Sequence, residues 1–266
     1  MNMFWINKKP YKIGLALSGG GARGFAHLGV LYAMDELGIK PDIIAGVSAG
    51  SIVASMYGAG MPPLEILKRF MKAKVSDFCE IAVPKDGFLR MEGFKGFLEA
   101  NLLVKNIEDC PTPIAICATD IFNAVPIQWR RGRMAERVMA SCSIPIVFKP
   151  VKIGGVSYVD GGVLHNLPAW AIRDECEHLI GVNVSPLNAV DDMSNSIIEI
   201  ATRSYHLMAR ANSVHDMKLC DTVISIDSIS DVNVFNMHDK DRMFKSGYKA
   251  AKKILTDPKL LSKLVK

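Results

Sequence analysis

The chain has 266 residues, of which 49% are apolar, 22% charged and 8% aromatic. These fractions exclude a disordered, collagen-like or long coiled-coil chain, and the length allows a large core without staples. The 32 basic and 27 acidic side chains leave a net charge of +5, but the basic residues are scattered (Lys8-Lys9, Arg130-Arg131 with Arg133, Lys252-Lys253, then Lys259, Lys263 and Lys266). That pattern speaks against nucleic-acid binding and remains compatible with weak attraction to anionic lipid.

The first predicted element is a short buried strand, Lys12 to Leu17, broken by Ser18-Gly19-Gly20-Gly21. A helix follows from about Arg23 to Leu37, stopped by Gly38 and Pro41. Asp42 to Ala45 reads as a second strand. A turn at Gly46 to Ala49 then leads into a helix through Tyr57, which ends at Gly58, Gly60 and Pro62-Pro63. Leu64 to Val104 is helical but interrupted, with Phe70, Phe78, Phe88, Phe94 and Phe97. Pro113 to Thr119 is a strong strand with Ala124 to Trp129 as hairpin partner, and Arg133 to Ser141 is helical. Strands at Val156 to Val159, Leu179 to Val184 and Thr222 to Ile226 follow, with helices at about Met193 to Met217 and Asp239 to Leu255. Strands alternating with helices predict a mainly parallel sheet covered on both faces. No linker divides the chain, so residues 1–266 are read as one domain.

One stretch, Ile43 to Leu64, carries no charge and is long enough to cross a bilayer. Its glycines and the Pro62-Pro63 pair argue against an uninterrupted span, and it reads better as a buried strand, a turn and a buried helix. The six cysteines, at 79, 110, 117, 142, 176 and 220, form no Cys-x-x-Cys and no zinc spacing with histidine. They read as free thiols in a reducing compartment, with no metal site expected. Met1 to Lys12 lacks the apolar core of a secretory signal. A cytoplasmic protein is the expectation, with contact to membranes peripheral.

Three motifs carry chemistry. Gly46-Val47-Ser48-Ala49-Gly50 follows a strand and opens a helix. In this context a serine stands at the tip of a sharp turn, flanked by glycines that let backbone pass closely, with a positive helix end beside it. Ser48 is the candidate nucleophile; a plain small-residue turn is the structural alternative. Gly19-Gly20-Gly21-Ala22-Arg23-Gly24 opens the preceding helix and fits two readings. It is a dinucleotide loop with Asp42 as the acidic partner, or it supplies oxyanion-hole donors from Gly19, Gly20, Gly21, Arg23 and Gly24 together with Ala49. The nearby serine motif favours the second. Asp160-Gly161-Gly162 ends a strand, where a carboxylate followed by glycines can face a site, although Asp-Gly is also a common turn.

In this order the motifs resemble the patatin-like phospholipase family in its short bacterial form, over about Lys12 to Pro168. Ala140-Ser141-Cys142-Ser143-Ile144-Pro145, with Phe148 and Pro150, and the run Asp160 to Leu164 with Asn166-Leu167-Pro168 are similar to further family segments. The resemblance implies a three-layer α/β/α sandwich, a dyad of Ser48 and Asp160, an oxyanion hole from the glycine loop, and hydrolysis of lipid acyl esters without a cofactor. His165 stands where members often carry asparagine.

An aspartate base needs explanation, because its ordinary pKa of about 3.9 is low. Burial or tight alignment must compensate. His165, five residues past Asp160, is the rival base; His27, His178, His206, His215 and His238 read as packing or surface residues. The segment Met61 to Leu103 is a candidate cap or acyl-binding wall, with ordinary core as the alternative. A soluble ester or thioester hydrolase or acyltransferase, and a non-catalytic nucleotide-binding or interaction protein, stay open as other functions.

Overall fold

A computed structural model describes residues 8–72, 91–186, 196–234 and 237–265. The strands among them are β1 (Tyr11–Leu17), β2 (Ile43–Val47), β3 (Ile114–Asp120), β4 (Val125–Trp129), β5 (Val151–Ile153), β6 (Val156–Asp160), β7 (Cys176–Asn183) and β8 (Thr222–Ser225). The helices are α1 (Phe25–Glu36), α2 (Ala49–Gly58), α3 (Pro63–Lys72), α4 (Glu92–Asn101), α5 (Met134–Ser141), α6 (Ile197–Met217), α7 (Lys240–Leu255) and α8 (Pro258–Leu264).

Strands β8, β7, β1, β2 and β3 lie side by side and run parallel. Strand β3 organises the far side. It pairs antiparallel with β4 from Ile116 to Asp120, overlapping both its partners β2 (through Cys117) and β6 (from Ala118). One strand edge cannot serve two partners at the same residues, so β2 and β6 share the opposite edge of β3, end to end. β2 runs out at Val47, opposite Cys117, and β6 arrives from the other direction at Asp160, opposite Ala118. The register of β3 thus brings the end of each strand to one spot. The β5–β6 hairpin, of which only the second strand is predicted from sequence, continues this edge.

Side-chain alternation explains the layers. Ile13, Leu15 and Leu17 of β1, Ile44, Ile114, Ile116, Ile180 and Val182 face one core, which α1, α3 and α7 cover. Ala16, Ile43, Ala45, Val47, Ala115, Cys117 and Leu179 face the other, which is closed by the short turns after Leu167 and by Met217, Leu219 and Cys220 at the end of α6. Strands buried on both faces read as unbroken apolar runs, which accounts for the uncharged stretch from Ile43. The architecture is a mixed α/β sheet flanked by helices on both faces. No helix among the described residues is long and apolar enough to cross a membrane.

The Met61 to Leu103 segment is partly outside the described residues, Phe78 and Phe88 included. Within them, Met61, Phe70, Met91 and Phe94 are buried in the main core, with Phe70 against both Phe25 and Phe97. These side chains are core. Cys117, Cys142 and Cys176 are buried free thiols.

Candidate active site

Ser48 sits between β2 and α2, with φ 51° and ψ −124°. An L-residue adopts such a conformation only under constraint. The constraint is crossing backbone: a Cβ on Gly46 would overlap the Gly50 carbonyl, and one on Gly50 would overlap that of Leu17. The glycines therefore let α2 start directly over the ends of β1 and β2, with Ser48 at its positive end. Ser141 Oγ accepts the Ser48 N–H at 2.9 Å and donates to the Cys117 carbonyl at 2.6 Å, tying the turn to β3. The Cys142 thiol lies beside Ser48 and Ser51, and burial keeps it protonated.

Asp160 is fully buried. Its N–H donates to the Ser143 carbonyl (2.9 Å) and its Oδ1 accepts from Gly162 N–H (2.8 Å). The two serines of the Ala140–Pro145 stretch thus hold the two ends, Ser141 the nucleophile's backbone and Ser143 the carboxylate's. Burial raises the Asp160 pKa to about 6, against the lowering effects of the Gly162 N–H and the Ser48 and Tyr205 hydroxyls. The other oxygen, Oδ2, is buried with no fully formed hydrogen bond. It is a carboxylate poised near neutrality with an acceptor atom to spare, beside a serine hydroxyl. Gly161 packs on the Cys117 carbonyl, and the bare Cα of Gly162 makes room for the Tyr205 hydroxyl.

The glycine loop lies where β1 ends between β2 and β7, the point at which strand order reverses and ligands bind in parallel sheets. Gly19 touches Ser48, whose Cβ is 3.2 Å from where a Gly19 Cβ would be, and Gly24 packs on Ala49. The loop's N–H groups are unequal. Gly19 donates to the Asn166 carbonyl (3.0 Å), Ala22 to that of Val234 (2.7 Å) and Arg23 to that of Gly20 (3.1 Å). The Arg23 side chain is spent as well, its guanidinium donating to the carbonyls of Val232, Pro186 and Ser230 at 2.8, 2.6 and 3.0 Å. Gly19 and Arg23 therefore leave the set of available donors, and Gly24 serves packing. Gly20, Gly21 and Ala49 remain, their N–H groups at the starts of a 3-10 turn and of α2, where the helical pattern offers no acceptor.

The dinucleotide reading of this loop fails on geometry. Asp42 precedes β2, at the end of the sheet remote from the glycines, and its carboxylate accepts the Ile13 N–H at 2.8 Å. His165 is engaged elsewhere: its Nδ1 lies 3.0 Å from the buried Asp216, and its ring packs on Trp170. His27 is wholly buried on the Ser18 carbonyl (2.8 Å), burial lowering its pKa to about 4. Among the described residues no group of three or more His, Cys, Asp or Glu is placed to hold a metal.

Sequence reasoning misses Tyr205 and Asn212, and it places Asn166 in a family-like run without giving it a role. The inner face of α6 carries Tyr205 beside Asp160, Asn212 bonded to the Gly162 carbonyl (2.8 Å) and to Asn166 N–H (2.8 Å), and Ser213 3.4 Å from the Asn166 amide. No motif marks the α6 positions. An inward-facing pattern at 205, 212, 213 and 216, polar where a core helix is apolar, with Ala209 between them, is the signal available.

A sequence model of the patatin-like phospholipase family matches residues 15–172. An uncharacterized NTE family protein of Mycobacterium tuberculosis is 31% identical over 159 residues, 59% of this chain and 44% of that protein. Lysophospholipase NTE1 of Debaryomyces hansenii is 30% identical over 196 residues, 68% of this chain and 13% of that one. The chain therefore spans less than half of either relative. VipD from Legionella pneumophila shares the fold, with a TM-score of 0.62 at 16% identity, over 96% of this chain and 67% of that one.

Proposed function

The chain belongs to the patatin-like phospholipase family, and from that premise we propose that it is a serine lipid acyl hydrolase of phospholipase A or lysophospholipase type, with Ser48 as nucleophile and Asp160 as base. The observation that carries this reading is the pairing of a constrained serine at a helix start with a buried carboxylate whose pKa is raised to about 6. An ordinary aspartate is too weak a base to assist a hydroxyl at neutral pH; a raised one narrows that gap.

In the proposed reaction, Ser48 Oγ attacks the ester carbonyl carbon while its proton passes to Asp160. The oxyanion receives N–H donors from Gly20, Gly21 and Ala49 and the positive end of α2. Collapse breaks the acyl C–O bond, and the leaving alcohol takes the proton from Asp160. Water then attacks the acyl-enzyme, gives a proton to Asp160 and releases the carboxylic acid, and Asp160 returns the proton to Ser48. No cofactor enters. His165, held by Asp216, takes no part.

The test is labelling with a fluorophosphonate, read by peptide mass spectrometry. Modification of Ser48, absent from Ser48→Ala, is expected together with hydrolysis of a lysophospholipid; a folded sample that neither labels nor hydrolyses any ester overturns the assignment.

A further inference from the structure

Helix α6 has two faces of opposite character, and only the inner one is accounted for. The outer face carries Ile197, Ile200, Leu207, Met208 and Val214, each between 40% and 82% exposed. Their spacing of three and four residues lays them along one stripe, with Ser204 and Ala211 as the small members between them. Five large aliphatics in register on a solvent-facing helix are a patch rather than scatter, and such patches mark contact surfaces. The exposed cations Arg210 and Lys218 lie on the same outward side; Asp216 is turned inward and buried, and the exposed acid of the helix, Glu199, sits in its first turn.

We propose that this face of α6 docks the protein on an anionic lipid surface, holding the site at the aggregate that contains its substrate. The proposal rests on the acyl hydrolase reading for its purpose, and on the helix for its geometry. Area argues for lipid over a second copy. The stripe rises about 25 Å along a cylinder about 10 Å wide, roughly 250 Å², whereas a stable protein interface buries about 800 Å² per partner. A helix lying on a bilayer needs only an apolar stripe with basic residues at its border, and the +5 charge of the chain has the complementary sign. The same helix fastens the Asp160 loop through Tyr205, Asn212 and Ser213. A surface seated on its outer face is thus one helix diameter from the carboxylate.

The experiment is flotation with vesicles of phosphatidylcholine containing phosphatidylglycerol, using the full chain carrying Ser48→Ala so that turnover does not change the lipid. Binding is expected to weaken at least about tenfold in the added double variant Ile200→Ser with Leu207→Ser. In the Ser48 background, that double variant should hydrolyse a short soluble ester within about twofold of the parent chain and lose activity on vesicle-borne ester. Should the double variant not fold, Arg210→Glu with Lys218→Glu serves in its place; its binding should fall on anionic vesicles and be unchanged on phosphatidylcholine alone. Equal binding by parent and variants overturns the proposal. So does an oligomer in sedimentation that the variants dissociate, which would make the face a contact between copies. Loss on Phe122→Ser with none on α6 would move docking to the exposed β3–β4 tip and also overturn it. Soluble-ester hydrolysis without vesicle binding sinks the docking and spares the hydrolase; vesicle binding without hydrolysis of any ester does the reverse.

Discussion

The Tyr205 hydroxyl fills the space that a side chain on Gly162 would take, and from there it faces the Asp160 carboxylate. The effect is mutual. Burial and the nearby carboxylate hold the phenol well above its ordinary pKa, so it stays a donor, and the donor pulls the Asp160 carboxyl down against burial.

Tyr205→Phe therefore raises the Asp160 pKa above its value of about 6. Because Asp160 must be ionised to accept the serine proton, the acidic limb of kcat/KM should move to higher pH, by up to about one unit, the strength of a fully formed hydrogen bond to a charged group setting the ceiling. Activity well above the limb should fall much less than activity at pH 6. A profile of unchanged shape, scaled uniformly, would make Tyr205 a packing residue only.

Asp160→Asn separates function from stability. The carboxyl pKa rises from 3.8 to about 6 on folding, so between these values the folded chain binds more protons than the unfolded one. Its contribution to stability is then fully present below pH 4 and lost as pH rises through 6, a cost of roughly 3 kcal/mol at pH 7 and above. Asparagine has no charge to desolvate. The variant should melt several degrees higher than the parent at pH 7.5, with the gap closing toward pH 4, while kcat/KM falls about a thousandfold or more. A lower melting temperature at pH 7.5 would mean that the buried charge is compensated.

The parts of this site that were legible in the sequence are those set by local backbone geometry. A glycine two residues either side of Ser48, and glycines after Asp160, state which side chains cannot be tolerated. The periodicity gave α1, α6 and α7 to within a few residues, though the chain after Gly21 is first a 3-10 turn, Gly21–Gly24, and α1 begins at Phe25. What could not be read is long-range. Tyr205 lies far along the chain from the residue it serves, on a helix whose inner polar residues carry no fixed spacing. The partners of Arg23 are backbone carbonyls, which have no sequence signature at all. The β5–β6 placement depends on which edge of β3 is free, a property of the assembled sheet.

The strain at Ser48 gives a prediction independent of chemistry. At φ 51° alanine suffers the same steric conflict as serine, whereas glycine does not. Ser48→Gly and Ser48→Ala should both be inactive, and the glycine variant should be the more stable by about 1 kcal/mol in denaturant unfolding. Equal midpoints would show that the turn is unstrained.

Arg23 tests whether the loop's fork matters. Its three nitrogens reach carbonyls on two separate segments, 186 and 230–232, and the residue is 7% exposed. Methionine keeps the stem and abandons three carbonyls; the expected loss is about 3–5 kcal/mol. Lysine, a single point charge, cannot span both segments and should recover less than half of that. Equilibrium unfolding gives both numbers, and a lysine variant as stable as the parent would remove the geometric argument.

His165 decides between a dyad and a triad. Its Nδ1 is committed to Asp216, whose carboxyl burial raises while the histidine lowers it. Asparagine at 165 can still donate one hydrogen bond to that carboxylate, so His165→Asn should fold, with a modest loss of stability from the weakened contact. Its kcat/KM toward a short ester should stay within about threefold of the parent, against the thousandfold loss in Asp160→Asn. The two variants must be read together, because a single loss could come from distortion of the loop between residues 160 and 166. If His165→Asn abolishes hydrolysis while Asp160→Asn retains it, the base is the imidazole, and Asp216 takes the orienting role that a triad requires.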